Sequence, residues 1–158
     1  MAFNIKDSQV PLIEKLADLR SLPYVLHLTG SRYFAYNGTE DDWDFFVSDE
    51  SPDLIKALTD LGFYNYEPQY RSGNVTPAVD PSVKAVYRWM EGNMQVDILV
   101  VQKEHMSWRM RTQQHLLEKI MIMSNFLRED ADCGTFKKIV EELWDLAYKS
   151  YMLNASLK

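Results

Sequence analysis

Two aspartates one residue apart, Asp42 and Asp44, run straight into Phe45-Phe46-Val47. Alternate side chains of a strand share a face. The spacing therefore points both carboxylates one way and sends Trp43 and Phe45 the other way, into a core. Two carboxylates held side by side repel, and at neutral pH one of them tends to stay protonated. A divalent cation removes the conflict. Paired oxygen ligands suit Mg2+, which keeps several waters and takes a few carboxylates plus substrate phosphates. A solvated acidic loop accounts for Glu40 and Asp41 but not for an Asp44 that leads into Phe-Phe-Val. A third acid, Asp97, stands in the middle of the apolar strand Met94–Val101, MQVDILVV. An unpaired buried carboxylate is costly. A nearby arginine or backbone donors would satisfy it. Beside the Asp42/Asp44 pair, it reads as the third member of one metal site.

A phosphate half of the site precedes the acids. The apolar run Tyr24 to Leu28 reads as a buried strand, broken at Thr29-Gly30-Ser31. Glycine permits close approach of backbone to a ligand, and free N–H groups at a helix start receive phosphate oxygens. Arg32 adds charge to that cradle or makes a surface salt bridge. Further on, Lys84, Val86 and Arg88 share one strand face. Bordering Asp97, Lys84 or Arg88 would neutralise the charge of a phosphate ligand; otherwise the face is simply a solvated one.

Gly30-Ser31, a ten-residue gap, Asp42-x-Asp44 followed by apolar residues, and a later strand aspartate form a combined pattern. It resembles the nucleotidyltransferase superfamily typified by DNA polymerase β and the aminoglycoside nucleotidyltransferases. The resemblance covers Tyr24 to Val101. It implies an α+β fold: a nucleotidyltransferase-like mixed β-sheet flanked by helices, here with a C-terminal pair of helices. It also implies two Mg2+ ions, with Mn2+ as a substitute, held by Asp42, Asp44 and Asp97 as the catalytic and metal-binding set. The reaction implied moves a nucleoside monophosphate from a nucleoside triphosphate such as ATP to an acceptor hydroxyl and releases pyrophosphate. Gly30, Ser31, Arg32, Lys84 and Arg88 are the corresponding nucleotide-binding candidates. Asp97 would hold the ion that activates the acceptor hydroxyl. The chain departs from the pattern at Ala35, Asp41 and Trp43, which bears on the substrate more than on the metal site. The acceptor is open among a small molecule, a tRNA end and a protein hydroxyl. The alternative is the same fold kept as a non-catalytic binding or regulatory module of toxin–antitoxin or phage–host type. A metal-dependent glycosyltransferase is disfavoured, because the chain lacks the length and the repeated βα pattern of a Rossmann-like domain.

Composition bounds the partners. The chain has 158 residues, 46% of them hydrophobic, which suits one domain with a real core. The expected organisation is a nucleotidyltransferase-like core over 1–102 and a helical extension over 103–158, together one compact unit. A net charge of −6 argues against a dedicated nucleic-acid binder, leaving nucleic acid only as a substrate. Cys133 is the only cysteine, which suits a reducing cytoplasm. His27, His105 and His115 show no zinc spacing. No signal peptide or membrane span is expected.

The remaining elements position these residues. A helix is expected over Ser8 to Leu22, capped by Ser8 with Pro11 in its first turn and stopped by Pro23. A short helix follows over Ser31 to Tyr36, then a turn at Asn37-Gly38-Thr39 and a strand over Asp42 to Ser48. Another helix starts at Ser51-Pro52 and ends at Gly62. Phe63 to Tyr66 reads as an edge strand and Gln69 to Pro81 as a loop that either covers a ligand or is a plain tip. Val83 to Met90 and Met94 to Val101 form a hairpin across Glu91-Gly92-Asn93. A long helix runs from Lys103 to Leu127; its Trp108, Arg109 and Arg111 either stack a base or divide into core packing and solvated arginines. A last helix over Phe136 to Met152 carries a wide apolar stripe that must be covered by the preceding helix or by a second subunit.

Overall fold

A computed structural model describes residues 9–34, 42–66 and 82–124, with 139, 142, 143, 146, 147 and 150 from a further helix. Its elements in order are α1 (Val10–Arg20), β1 (His27–Thr29), α2 (Gly30–Phe34), β2 (Asp42–Ser48), α3 (Leu54–Asp60), β3 (Tyr64–Asn65), β4 (Val83–Glu91), β5 (Met94–Val101) and α4 (Met106–Ser124). A single 3-10 turn, Lys103–His105, leads into α4. The strands make one mixed sheet in the order β1-β2-β5-β4-β3. Only the β2/β5 pair is parallel; β1/β2, β4/β5 and β3/β4 are antiparallel. The chain is thus α+β, the general class expected.

The two sheet faces differ in chemistry. One buries Val47, Tyr87, Trp89, Met94, Val96, Ile98 and Val100 against Leu12 and Leu19 of α1 and Leu54 and Leu58 of α3. Trp43 and Phe45 pack on this cluster, their rings stacked 6.1 Å apart. The other face has a smaller apolar cluster, Phe46, Val83, Val86, Leu99 and Val101, joined by Tyr66 and Met106. Period-two alternation along β2 and β5 produces this division, and it sends Asp42, Asp44 and Asp97 to the less apolar face.

Local chemistry sets most of the boundaries. Gly62 adopts φ +91°, and Gly62 N and Phe63 N donate to Thr59 O and Leu58 O at 3.0 and 2.9 Å. That closes α3 as a Schellman motif. Lys15 Nζ donates to Leu61 O and lies 5.5 Å from the Trp89 ring centroid, tying α1 to the end of α3. Gly92, at φ +60°, supplies the positive backbone angle of the two-residue β4/β5 turn.

Several elements are shorter than expected. The first strand begins at His27 rather than Tyr24, because Tyr24 and Leu26 pack on the core cluster without pairing. Helix α3 begins at Leu54, three residues after Ser51, with Asp53 in the left-handed region at φ 58°. Aspartate tolerates that conformation better than most residues. Tyr24 OH donates to Pro52 O, which holds the entry turn as part of the loop. Helix α1 has Gln9 at its N-cap position, with no side-chain cap bond.

The Asn37-Gly38-Thr39 turn, the Gln69–Pro81 loop and Cys133 lie outside the described residues. Of the expected Phe136–Met152 helix, residues 139, 142, 143, 146, 147 and 150 are described, and all are helical. Ile139, Leu143 and Ala147 are half-buried while Glu142, Leu146 and Ser150 are exposed, a one-sided pattern at helical spacing. Among the described residues no helix is long and apolar enough to cross a membrane.

The core predicts a contrast within α3. Leu58 is 0% exposed and Ile55 is 56% exposed. Leu58→Ala should cost about 2–5 kcal/mol in urea unfolding, whereas Ile55→Ala should change stability by no more than about 0.5 kcal/mol.

Candidate functional site

Register brings the acids together. Asp44 pairs with Asp97 across the parallel β2/β5 ladder, and Asp42 pairs with Gln95. Paired residues of neighbouring strands point to the same face, so Asp42, Asp44, Gln95 and Asp97 share one patch. The row extends across the whole sheet. Thr29 pairs with Asp44, Arg88 with Asp97 and Tyr64 with Arg88. A single rung therefore reads Thr29, Asp44, Asp97, Arg88, Tyr64 from β1 to β3.

The Gly-Ser turn meets this rung at its β1 end. Gly30 follows Thr29 directly, starts α2 and has φ +70°. A Cβ there would stand 2.5 Å from Asp44 Oδ2. A side chain is excluded on both counts, by the backbone angle and by the carboxylate. Ser31 continues α2, but its side chain lies outside what the structure describes.

Asp97 is buried, 4% exposed, and both of its oxygens are engaged. Arg88 Nε donates to Oδ1 at 2.7 Å and Arg88 Nη2 to Oδ2 at 2.9 Å. Gln95 Nε2 adds a third bond to Oδ2 at 3.0 Å. The guanidinium in turn lies 3.4 Å from the Tyr66 ring centroid. Burial opposes the charge on Arg88, but its bonds to Asp97 and the neighbouring Tyr66 outweigh that and push its pKa up.

Asp44 is the group under strain. The residue keeps some exposed surface, yet burial of its carboxyl is the largest cause of a pKa raised to about 7. Asp97 and then Asp42 raise it further, while Arg88 and Arg32 pull it down. At neutral pH Asp44 is therefore poised between acid and carboxylate. That is the behaviour of a group which gains from a nearby cation.

The other candidates are placed differently. Arg32 donates from Nε to the backbone O of Asp42 at 2.8 Å and rests 4.2 Å from the Trp43 ring centroid. Its guanidinium thus sits on a side chain of the opposite face, beside the cradle rather than inside it. Lys84 does not reach the acids. It falls at an irregularity in the β4/β5 register and pairs with Asp49 at 3.0 Å. Asp49 lies five positions beyond Asp44, roughly 16 Å along a strand. There Asp49 also accepts from Lys103 N at 3.0 Å, so Lys84 serves a tie between the end of β2 and the start of α4. Arg88 borders Asp97 as its ion-pair partner and so is committed before any phosphate arrives.

Three contributors escape a reading by pattern. Gln95 was legible as a same-face neighbour of Asp97, though not as its hydrogen-bond donor. Arg109, expected either to stack a base or to be solvated, is 2% exposed; it donates from Nη1 to Ser82 Oγ at 3.3 Å and stands 5.1 Å from the Phe46 ring centroid. Gln113, one helical turn later, donates to Leu28 O at 3.1 Å. Together they seat α4 on the face that carries the acids and fix the strand that delivers Gly30. The i, i+4 spacing of Arg109 and Gln113 was visible, but nothing in it separates a buried polar stripe from a wetted one. His27 stacks on Phe46 with centroids 5.0 Å apart, and burial lowers its pKa, consistent with a packed histidine.

Among the described residues, no three His, Cys, Asp or Glu side chains converge as a ready ligand set. Asp42 and Asp44 share this face, and Asp42 helps to raise the pKa of Asp44. Asp97 presents its charge to them but spends its oxygens on Arg88 and Gln95.

The proton on Asp44 has a measurable consequence. Its unfolded value is 3.8 and its folded value about 7, so the native state binds the extra proton between those limits. Stability from this group is present at low pH and is lost as pH rises toward about 7, then levels off. The slope cannot exceed about 1.4 kcal/mol per pH unit for one proton. Urea unfolding from pH 4.5 to 8 should show this fall in the native chain relative to Asp44→Asn, in which the difference disappears.

No family model, no curated protein and no solved structure matches the chain.

Proposed function

We propose that this chain is a Mg2+-dependent nucleotidyltransferase with a nucleotidyltransferase-like sheet, moving a nucleoside monophosphate from a nucleoside triphosphate to an acceptor hydroxyl. The observation that carries this reading is the close approach of Asp44 to Gly30, where a Cβ would stand 2.5 Å from Asp44 Oδ2. That proximity supports reading the Gly-Ser turn and the acidic rung together. A turn of free N–H groups suits phosphate oxygens; adjacent carboxylates suit the cation that travels with them.

Asp42 and Asp44 would hold Mg2+, or Mn2+ in its place. The ion supplies charge neutralisation at the phosphates and lowers the pKa of oxygens bound to it. The chain's own groups do the rest. The Gly30-Ser31 backbone orients the phosphates. Asp97 Oδ1, which carries only the Arg88 Nε bond while Oδ2 carries two, is the better placed oxygen to take the acceptor's proton. The acceptor oxygen bonds to the α-phosphorus, the bond to the bridging β-phosphate oxygen breaks, and pyrophosphate leaves with that electron pair. Positioning and charge neutralisation provide most of the rate in such transfers. The acceptor class is a small molecule, a tRNA end or a protein hydroxyl.

The bidentate hold of Arg88 on Asp97 favours a second reading, in which the chain binds a triphosphate without transferring it. Incubation with each labelled triphosphate, Mg2+ and a cell extract separates the two. A transferase yields a labelled acceptor, and Asp42→Asn lowers the labelling by at least about 100-fold with the fold intact by circular dichroism. Triphosphate that raises the melting temperature only with a divalent ion, without any labelled product, marks the binding module. Equal stabilisation in chelator counts against both.

A further inference from the structure

We propose that the outer end of the Arg32 guanidinium is an oxyanion subsite, which takes a carboxylate or a phosphate group by two-point hydrogen bonding, beside the acidic rung and without a metal ion. It does not depend on the transferase reading, and it separates Arg32 from the phosphate cradle in which the sequence pattern places it.

The contacts of Arg32 carry the inference. A guanidinium has five N–H donors in a fixed fork. One is spent: Nε donates to Asp42 O at 2.8 Å. The four on Nη1 and Nη2 meet no carboxylate or carbonyl among the described residues. Other cations around the sheet are committed. Arg88 holds Asp97 at two points, Lys84 pairs with Asp49, and Lys103 pairs with Glu50.

Arg32 is nevertheless fixed in place. The Nε bond holds one edge of the guanidinium, and the Trp43 ring backs it at 4.2 Å from carbon to centroid. Trp43 is backed in turn by Phe45, with the two rings 6.1 Å apart and 15° from parallel, and both rings pack on the apolar cluster of that face. A free arginine gives up rotamer freedom when it grips an anion. Here the fold has already taken that freedom, so the amino groups meet an anion preorganised. Asp42 and Asp44 project from the face of β2 opposite to Trp43, so the acids stand behind the subsite rather than in it. Of the groups that act on the Asp44 pKa, Arg32 has the smallest effect, as that separation requires. The side chain is half-buried, so the subsite grips the end of a ligand without enclosing it. Two oxygens of one carboxylate or phosphate match the fork.

Trp43 reports on its own neighbour. The full chain, labelled with 15N and kept in chelator at constant pH and ionic strength, is titrated with inorganic phosphate, with acetate and with chloride. The signal followed is the indole N–H that disappears in Trp43→Phe. Phosphate or acetate should shift it saturably and chloride should not, and the arm that saturates names the group. Arg32→Gln should weaken that binding by about 10- to 100-fold. The proposal is overturned by the lack of a saturable shift with either oxyanion, by an equal shift with chloride, or by a smaller loss in Arg32→Gln. Should Arg32→Gln fail to fold, Arg32→Lys decides, because lysine keeps the charge and loses the fork. Affinity lower by about fivefold or more supports two-point binding, and a smaller change overturns it. No metal and no turnover enter, so either result leaves the labelled-transfer experiment to judge the transferase reading separately.

Discussion

The site depends on a repulsion. Parallel pairing sets Asp44 beside Asp97 on neighbouring strands, on one face and shielded from water. Two like charges about 5 Å apart in an effective dielectric of 20 repel by roughly 3 kcal/mol, before any desolvation cost. Each carboxylate therefore needs its own compensation. Asp97 has Arg88. Asp44 is offset only in part, by the more distant charges of Arg88 and Arg32, and its pKa stays raised. A sheet that keeps this arrangement holds one group in a state that binding relieves.

The rest of the fold makes the arrangement tolerable. The apolar face of the same sheet, packed on α1 and α3, is where burial provides stability, so the opposite face can carry charge. Arg88 does more than balance Asp97. A buried ion pair that loses one partner typically costs 3–5 kcal/mol, so Arg88 and Asp97 hold one another in the ladder, and Tyr66 closes the pair from the side. On the β1 side, Gln113 anchors Leu28 and thereby the bend at Gly30. Helix α4 thus acts on the site from outside it: it sets where the turn stands relative to Asp44.

The same balance shapes the chemistry proposed for the site. Asp97 is oriented by three donors and so is precise, but it is not free. Asp44 carries the charge that its neighbours oppose. The contrast between a clamped Asp97 and a perturbed Asp44 follows from a single arginine lying in register on β4.

Much of this was legible in the sequence. Period-two alternation from Asp42 to Val47 placed both acids on one face and Trp43 and Phe45 on the other, because a strand permits nothing else. Glycine at position 30 marked a bend with close backbone approach. The hairpin across Gly92 and the end of α3 at Gly62 followed from local chemistry. Beyond that hairpin, strand pairing was not legible, because register is then a relation between segments distant in the chain. Only the tertiary structure decided that Asp97 sits level with Asp44 and that Lys84, beside an irregularity in the ladder, pairs with Asp49. Burial of Arg109 was likewise decided by what packs over it, which no spacing along one helix can encode.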